Sequence, residues 1–248
     1  MKVKTDLCSI KRTLLTPYIL MMRWRERNSP LLLRQMLEAL NYSPAFYRFL
    51  RDQNSGKISR YDPPIDEESV ALDIGAYIGE FAEQIAERYG ARIYGFEPHP
   101  GLFGQAQVRL ARFEKVTLFP YALGAKDRTA TLTFRYPGST LFADVSANPR
   151  QADEPTVEVE VRDIKRVIDE LALDDIDFVK INIEGGEYDL LDRLIDTGYV
   201  ARCRVLQVQF HESYQAAYSR RRRIRQALAR THRIDWDYPF VWERWSRR

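Results

Sequence analysis

The segment 70–90 constrains the fold of this chain more than any other. It opens with Val70–Ile74, a short apolar run typical of a buried parallel strand, which Asp73 interrupts near its end. Gly75 and Gly79 follow, and apolar residues then recur at every fourth position until a glycine closes the segment. A strand, a glycine turn and a helix in this order predict the first unit of a doubly wound nucleotide-binding sheet. We expect the Asp73 carboxylate to leave the core there and face a cleft.

The spacing of the glycines indicates which nucleotide the turn accommodates. A dinucleotide fold uses G-x-G-x-x-G to wrap a pyrophosphate, whereas the pattern here is D-x-G-x-x-x-G, the form seen in class I S-adenosylmethionine methyltransferases. A second predicted strand, Ala91–Phe96, ends in Glu97-Pro98. Glu97 lies about 20 residues past the turn, where an acidic residue hydrogen-bonds ribose hydroxyls. The two signals together predict an S-adenosylmethionine site rather than an ordinary α/β turn.

The predicted cofactor contacts come from the glycine turn and from the end of the second strand. Glycines let a ligand approach the backbone closely, and the start of the following helix offers free N–H groups. The ring of Tyr77 can stack near a sulfonium by cation–π attraction, with simple packing or solvent exposure as the alternative. The predicted cofactor-binding residues are Asp73, Gly75, Ala76, Tyr77, Gly79, Glu97 and Pro98.

The composition bounds the class of protein without identifying a partner. With 248 residues we expect one domain with an appendage, and a net charge of only +3 does not require a nucleic-acid ligand. Two distant cysteines, Cys8 and Cys203, fit a reducing, cytoplasmic setting better than a disulfide framework. No apolar run reaches the length of a membrane span, and Thr13–Met22 lacks the small-residue cleavage site of a signal peptide. We therefore predict a retained N-terminus and no transmembrane segment.

Strands and helices alternate along the rest of the chain. The predicted strands are Val116–Phe119, Thr129–Phe134, Thr156–Val161, Asp177–Ile183 and Val205–Phe210, with two short final strands within Arg233–Trp245. The predicted helices are Leu102–Phe113, Arg162–Leu171, Glu187–Ile195 and a basic helix containing Ile224–Ala229. Thr129–Phe134 and Thr156–Val161 can pair antiparallel, and the polar loop Tyr136–Pro155 between them is typical of a lid, a binding loop or disorder.

This order predicts an α/β fold with a doubly wound, mostly parallel, seven-stranded Rossmann-like sheet and helices on both faces. Residues 69–248 are predicted to form that domain, and residues 1–68 a helical extension and linker. The extension includes predicted helices at Leu31–Leu40 and Ala45–Leu50. It either pads one edge of the core, the interpretation we favour, or helps to close over an acceptor or touch a membrane surface.

Five blocks of sequence carry a specific family resemblance. They are Leu72–Gly79, Glu97-Pro98, Ala122-Leu123, Gly138–Leu141 and Asp177–Glu187. In this order they resemble the FkbM family of S-adenosylmethionine-dependent methyltransferases over residues 69–211, and K-I-x-I-E-G-x-E is their most specific part. The resemblance implies S-adenosylmethionine as cofactor and O-methylation of a hydroxyl on a sugar, a glycolipid or another natural product. Many members have Asp where this chain has Asn182, which weakens any role there that needs a charge.

The catalytic candidates follow the predicted strands Asp177–Ile183 and Val205–Phe210. Methyl transfer from a sulfonium is an in-line displacement that depends on positioning, and an alcohol acceptor benefits from a base. Because strand ends face the ligand crevice, we expect Asn182, Glu184 and His211 beside the sulfonium, with Glu184 or His211 as the base. Glu187 either interacts favourably with the dipole of the helix that it opens, or binds a divalent metal together with Glu184 and His211. With Asn182 neutral we predict no metal.

Arginines cluster between positions 220 and 233 and raise a second hypothesis, a nucleic-acid methyltransferase. Ile224 and Leu228 give this helix an ordinary apolar stripe, which leaves the arginines on a solvated face or beside an anionic lipid or acceptor, so nucleic acid is not favoured. A third hypothesis is a cofactor-binding fold without turnover. The leading one is an O-methyltransferase of a small-molecule or glycan acceptor. The sequence carries no signal for the oligomeric state.

Overall fold

The computed structural model describes residues 43–135, 138–140, 156–212 and 216–248. The helices in this part of the chain are α1 (Pro44–Asn54), α2 (Glu80–Tyr89), α3 (Pro100–Leu110), α4 (Ile164–Glu170), α5 (Glu187–Asp196) and α6 (Ala217–Leu228). The strands are β1 (Val70–Ile74), β2 (Arg92–Phe96), β3 (Val116–Phe119), β4 (Ala122–Gly124), β5 (Arg128–Arg135), β6 (Gly138–Thr140), β7 (Thr156–Asp163), β8 (Ile176–Ile181), β9 (Cys203–Val208), β10 (His232–Tyr238) and β11 (Trp242–Arg247). The predicted helix Leu31–Leu40 lies outside the described residues.

Seven strands form the central sheet in the order β10-β11-β9-β8-β1-β2-β3. The strands from β9 to β3 run parallel, and β11 runs antiparallel to both of its neighbours. This arrangement confirms the predicted doubly wound, mostly parallel α/β sheet. The strand order reverses between β1 and β8, and such a switch point leaves a crevice at the carboxyl ends of the strands.

The segment 70–90 folds as its pattern predicts. Strand β1 lies in the middle of the sheet, where Leu72 and Ile74 are buried, and α2 packs Ala82 and Ile85 against the sheet. Gly90 adopts a left-handed conformation (φ +64°) and ends α2, with its N–H donating to the carbonyl of the last turn. Several predicted boundaries further along differ from the observed ones by a few residues. The helix predicted to begin at position 162 begins at position 164, because β7 continues and the Asp163 side chain caps the helix.

A second, four-stranded sheet has the order β4-β7-β5-β6. The predicted antiparallel pairing of its two long strands, β5 and β7, is confirmed, from Arg128↔Val161 to Thr133↔Thr156. Ala122, Ala130 and Val161 form its small apolar cluster. Most of the predicted loop Tyr136–Pro155 lies outside the described residues, apart from β6.

Helix α1 belongs to the predicted N-terminal extension and packs against the hairpin of β10 and β11. It contains the predicted helix Ala45–Leu50, begins after the Ser43 cap, and buries Phe49 against Tyr238. The Tyr238 hydroxyl donates to the Asp52 carboxylate over 2.8 Å. The division of the chain at residue 68 stays a prediction. Among the described residues, the longest and most apolar helices fall short of what a membrane crossing requires.

Candidate active site

A cavity of about 380 Å³ lies at the carboxyl ends of β1, β2 and β8. The predicted site residues that line it are Gly75, Ala76 and Tyr77 after β1, Glu97 and Pro98 after β2, and Asn182 and Glu184 after β8. These residues meet there because parallel strands end at the same edge of the sheet. Asp73, Gly79 and His211 are not part of the lining, and each has a different position and role.

Gly75 brings two loops of the site into direct contact. Its φ is +83°, and a Cβ at this position would lie 2.0 Å from the backbone oxygen of Asn182. Its N–H and that of Ala76 both donate to the Phe96 carbonyl, over 3.0 and 2.9 Å. The turn after β1 is therefore tied to the ends of both neighbouring strands, and only glycine fits this position.

Gly79 shapes the turn and does not line the cavity, and its predicted contact with the cofactor stays a prediction. It adopts φ +82° as the residue before α2, where its N–H donates to the Ala76 carbonyl over 2.9 Å. A Cβ there would approach the Leu110 side chain to 2.9 Å. Its small size serves the packing of α2 against α3.

The Asp73 carboxylate faces the protein interior, which corrects the expectation that it faces a cleft. It is 1% exposed, and its Oδ1 lies 2.8 Å from Nζ of Lys180, the residue paired with it in register on β8. Burial raises the pKa of Asp73, and the Lys180 ammonium opposes that rise. Lys180 also donates to the Gly75 carbonyl over 2.6 Å and lines the cavity. The Asp73–Lys180 pair therefore fixes the turn after β1 from its buried side.

Glu97 presents a carboxylate to the cavity from an almost fully buried position. Its two oxygens accept backbone N–H groups of Tyr77 and His99, each over 2.9 Å. Burial raises the pKa of Glu97 to about 7, although these two hydrogen bonds act in the opposite direction. Each carboxylate oxygen keeps a further lone pair, so the group can still accept hydrogen bonds from the hydroxyl groups of a ligand.

Glu184, His211 and Glu187 form a continuous array at one side of the cavity. Glu184 lines the cavity in a left-handed conformation (φ +52°), and its Oε2 lies 3.3 Å from Nε2 of His211. His211 Nδ1 lies 3.1 Å from Oε1 of Glu187, which is fully buried. Glu187 also accepts the N–H groups of His211 and Gly185, over 2.7 and 2.8 Å. Its carboxylate therefore holds both the strand end and the turn that carry the array.

The electrostatics of this array favour Glu184 over His211 as the candidate base. Burial lowers its pKa, but the carboxylates of Glu187 and Glu184 outweigh that effect and raise the pKa of His211 to about 10. At neutral pH the ring is an imidazolium whose two N–H groups donate to the two carboxylates. A cation of this kind has no lone pair for a proton, and His211 is outside the cavity lining.

Asn182 places a hydrogen-bond acceptor, its side-chain oxygen, at the cavity. Its backbone N–H donates to the Ile74 carbonyl over 3.0 Å, which positions the residue at the end of β1. Its Oδ1 is buried at the cavity and accepts no hydrogen bond from any described residue. Because a buried acceptor without a partner costs stability, a ligand that donates there would gain affinity.

The outer part of the cavity comes from segments to which the sequence reasoning assigned no function. Its residues are Arg60 and Tyr61 from the linker, Trp242 from β11, Lys126 from the turn between β4 and β5, and Arg128 at the start of β5. No local motif marks these positions, since they meet only after the second sheet and α1 have packed. Lys180 did carry a signal, because a lysine inside an apolar strand requires a buried partner.

The chain matches the family described as the methyltransferase FkbM domain over residues 73–235, well over half its length. The curated AMB antimetabolite synthetase AmbE of Pseudomonas aeruginosa is 26% identical over 201 residues. That match covers 66% of this chain but only 9% of the relative, so the chain spans a small part of that protein's length.

Solved methyltransferase structures resemble the chain in fold alone. An rRNA methylase from Streptococcus thermophilus has 10% sequence identity and a TM-score of 0.41, over 74% of this chain and 89% of that chain. Aeropyrum pernix fibrillarin, solved with natively bound S-adenosyl-L-methionine, has 10% identity and a TM-score of 0.43, over 74% of this chain and 68% of its own.

Proposed function

The chain belongs to the FkbM family of S-adenosylmethionine-dependent methyltransferases, and from this membership we propose that it methylates a hydroxyl of a sugar, a glycolipid or another natural product. The observation that carries the proposal is the Glu184 carboxylate, which lines the cavity and is held by the His211 imidazolium. A hydroxyl acceptor needs a group that removes its proton, and a carboxylate can do this.

The residues of the cavity fit the cofactor of this family. The Glu97 carboxylate is suited to ribose hydroxyls, and the missing Cβ of Gly75 leaves the backbone open to close approach. The unpartnered Oδ1 of Asn182 can accept a hydrogen bond from an ammonium or hydroxyl group of a ligand. When bound, S-adenosylmethionine supplies a methyl group activated by its sulfonium.

The array supports a division of labour between its three members. Glu184 would accept the proton of the acceptor hydroxyl as the hydroxyl oxygen takes the methyl group, while the bond from that methyl to the donor sulfur breaks and the sulfur keeps the electron pair. His211 stays protonated and holds Glu184 in its left-handed turn, so we assign it as a positioning residue. Glu187 keeps that imidazolium charged and fixed from the buried side. Positioning of both reactants supplies the rest of the rate enhancement.

Turnover of Glu184→Gln tests the assignment of the base. With a methyl-labelled donor and a panel of hydroxylated acceptors, we expect turnover to fall by roughly 10²–10⁴ because the variant has no group to take the proton. The affinity for S-adenosylhomocysteine should change little. Glu114→Gln, an exposed residue outside the cavity, is the matched control and should keep full turnover. Full turnover of Glu184→Gln would contradict the assignment.

His211→Gln tests the positioning role with a separate readout. The variant removes the cation that lies against Glu184 and leaves Glu184 itself in place. We therefore expect kcat to fall while the KM for the acceptor and the affinity for S-adenosylhomocysteine change little, because Glu184 is no longer held in position. An unchanged kcat, or a loss of kcat that only follows a loss of folded protein, would assign His211 to stability alone.

The basic helix gives little support to the nucleic-acid hypothesis, which stays untested. Arg220 lies 2.7 Å from Asp189, and Arg221 and Arg225 both contact Glu243, which is 1% exposed. These arginines neutralise acids of the fold itself rather than forming an open basic surface. Salt-dependent binding of RNA would favour that hypothesis, and cofactor binding without transfer to any acceptor would favour the fold without turnover.

We also propose a cytoplasmic setting, supported by the cysteine at the start of β9. Cys203 is a buried free thiol, and burial raises its pKa to about 12. Such a thiol is compatible with a reducing compartment. Fractionation of cells that express the chain tests this proposal, and recovery in an oxidising compartment would contradict it.

A further inference from the structure

We propose that the acceptor carries an anionic group, a carboxylate or a phosphate, bound by Arg60 and Lys126 at the outer part of the cavity. This inference rests on the proposed function, since it names the class of acceptor that the same cavity takes. It starts from the charges that line the cavity, because among the described residues no carboxylate oxygen lies within 4 Å of the cationic group of Arg60 or of Lys126.

Three of the four acidic groups of the lining are held by the fold. Glu184 lies against the His211 imidazolium, Asp189 lies 2.7 Å from Arg220, and Glu97 accepts two backbone N–H groups. The fourth, Glu80, is exposed at the start of α2. The inner cation is also neutralised, because Lys180 lies 2.8 Å from the Asp73 carboxylate. The electrostatic character of the outer part therefore depends on its own cations.

Arg60 is held in position by aromatic rings instead of by an acid. Its guanidinium carbon lies 5.9 Å from the Phe49 ring centre, 5.3 Å from that of Tyr61 and 5.4 Å from that of Trp242. No carboxylate oxygen of the described residues lies within 4 Å of it, and its Nε is buried without a hydrogen-bond partner. A guanidinium fixed in this way loses little side-chain entropy when it binds an oxyanion, whose two oxygens match its planar fork.

Lys126 lies across the same cavity in the turn between β4 and β5. The neighbouring acid points away from it, since Asp127 accepts the Asp163 N–H over 2.8 Å and pairs with Arg166. Within the described part of the chain, Lys126 itself has no carboxylate oxygen within 4 Å. Arg128, two residues further, lines the cavity as well. The turn thus presents cationic side chains to the cavity and its acid to α4.

These features favour an oxyanion over the alternative of simple solvated surface charge. Solvated lysines and arginines commonly lie on open faces. Lys126 is exposed and Arg60 is half-buried, but both line a cavity that also holds the candidate base. A charged anchor at one end and Glu184 at another would orient one hydroxyl of a polyhydroxylated acceptor. Carboxylate and phosphate share the chemistry required, and the choice between them is left to experiment.

Calorimetry on the S-adenosylhomocysteine complex tests the inference with three sugar probes. D-Glucuronate carries a carboxylate, D-glucose 6-phosphate carries a phosphate, and D-glucose is the neutral reference. We expect at least one anionic probe to bind about 10-fold or more tightly than D-glucose, with an affinity that falls as KCl is raised. Equal affinities for all three probes, or no binding of either anionic probe up to about 10 mM, would overturn the proposal.

Two variants assign any such binding to the cations of the cavity. Lys126→Gln should weaken binding of the anionic probe roughly 3–10-fold, and Arg60→Lys should weaken it by a similar factor because the planar fork is lost. Lys115→Gln is the matched control, since Lys115 donates to the Glu67 carbonyl outside the cavity and should leave binding unchanged. If Lys126→Gln and Arg60→Lys both behave like Lys115→Gln, the anion binds elsewhere and the inference is wrong.

The same samples separate failure of this inference from failure of the proposed function. Transfer of methyl groups to neutral acceptors, with loss of transfer in Glu184→Gln, would leave the function intact and remove the anionic subsite. Selective anion binding in a protein that transfers no methyl group to any acceptor would support the anionic subsite and contradict the proposed function.

Discussion

Glu97 and Glu187 are two buried carboxylates whose surroundings give them different functions. Glu97 accepts two backbone N–H groups and faces the cavity, so it remains available to a ligand. The oxygens of Glu187 are occupied by the backbone N–H of Gly185 and by the backbone N–H and ring of His211. The first is suited to binding, and the second to holding another side chain in place.

The affinity for S-adenosylhomocysteine should depend on pH through Glu97. Its pKa in the free protein is about 7, so the carboxylate that accepts ribose hydroxyls is progressively protonated as the pH falls below that value. We expect the dissociation constant to rise on going from roughly pH 8 to pH 6, by at most about tenfold per pH unit.

Glu97→Gln provides the control for this dependence. The amide cannot ionise, so calorimetry of the variant should show a dissociation constant raised about 10–100-fold at pH 8 and nearly constant down to pH 6. If the variant kept the pH dependence of the wild type, another group would be responsible.

Methyl transfer should be unaffected by chelation of divalent metal ions. A divalent ion needs deprotonated ligands, whereas the pKa of His211 is about 10 and Asn182 is neutral. Among the described residues, no group of three or more His, Cys, Asp or Glu side chains is arranged to hold an ion. Turnover measured with excess EDTA should match that without it. Loss of turnover that magnesium or manganese restores would show the prediction to be wrong.

Individual residues show where sequence reasoning reached its limit. The residue types that follow each strand indicated Glu97, Asn182 and Glu184, because their place at a strand end follows from the parallel sheet. The protonation state of His211 could not be read in the same way. It depends on two carboxylates 27 and 24 residues away in sequence, and only the folded distances show that both lie against the ring.

At the scale of elements, the turn between β1 and α2 couples three strands. The N–H groups of Gly75 and Ala76 donate to the Phe96 carbonyl at the end of β2, and the Gly75 carbonyl accepts a hydrogen bond from Lys180 of β8. The existence of this turn was evident from the glycine spacing. Its coupling to β8 was not, because the close approach of Gly75 to Asn182 depends on the register of strands distant in sequence.

Gly75→Ala should disrupt this coupling. A left-handed alanine costs roughly 1–2 kcal/mol, and the contact of its Cβ with the Asn182 carbonyl adds to that, so we expect a loss of at least about 3 kcal/mol in the free energy of unfolding. Urea denaturation measures the change. Cofactor binding should weaken in the same variant.

Gly104→Ala is the matched control for that substitution. Gly104 lies inside α3 with open space where a Cβ would be added, and its backbone is helical. The exchange should stabilise the protein by about 0.5–1 kcal/mol. If both variants had similar effects, the special geometry of Gly75 would be refuted.

At the scale of the whole molecule, the cavity is built from three parts. The central sheet supplies the predicted cofactor contacts and the candidate base, the second sheet supplies Lys126 and Arg128, and the linker after α1 supplies Arg60 and Tyr61. The order of elements predicted the central sheet and the antiparallel pairing in the second one. It could not place the second sheet or the linker over the cavity, since such packing leaves no periodic signal in the sequence.

A crystal structure with S-adenosylhomocysteine tests the central claim most directly, namely that this cavity brings a methyl donor and a hydroxyl acceptor together before Glu184. The account predicts ribose hydroxyls within hydrogen-bond distance of the Glu97 carboxylate. It also predicts that the sulfur faces the side of the cavity formed by Asn182 and Glu184, with open space towards Arg60. A ligand bound outside this cavity, or a sulfur directed away from Glu184, would contradict it.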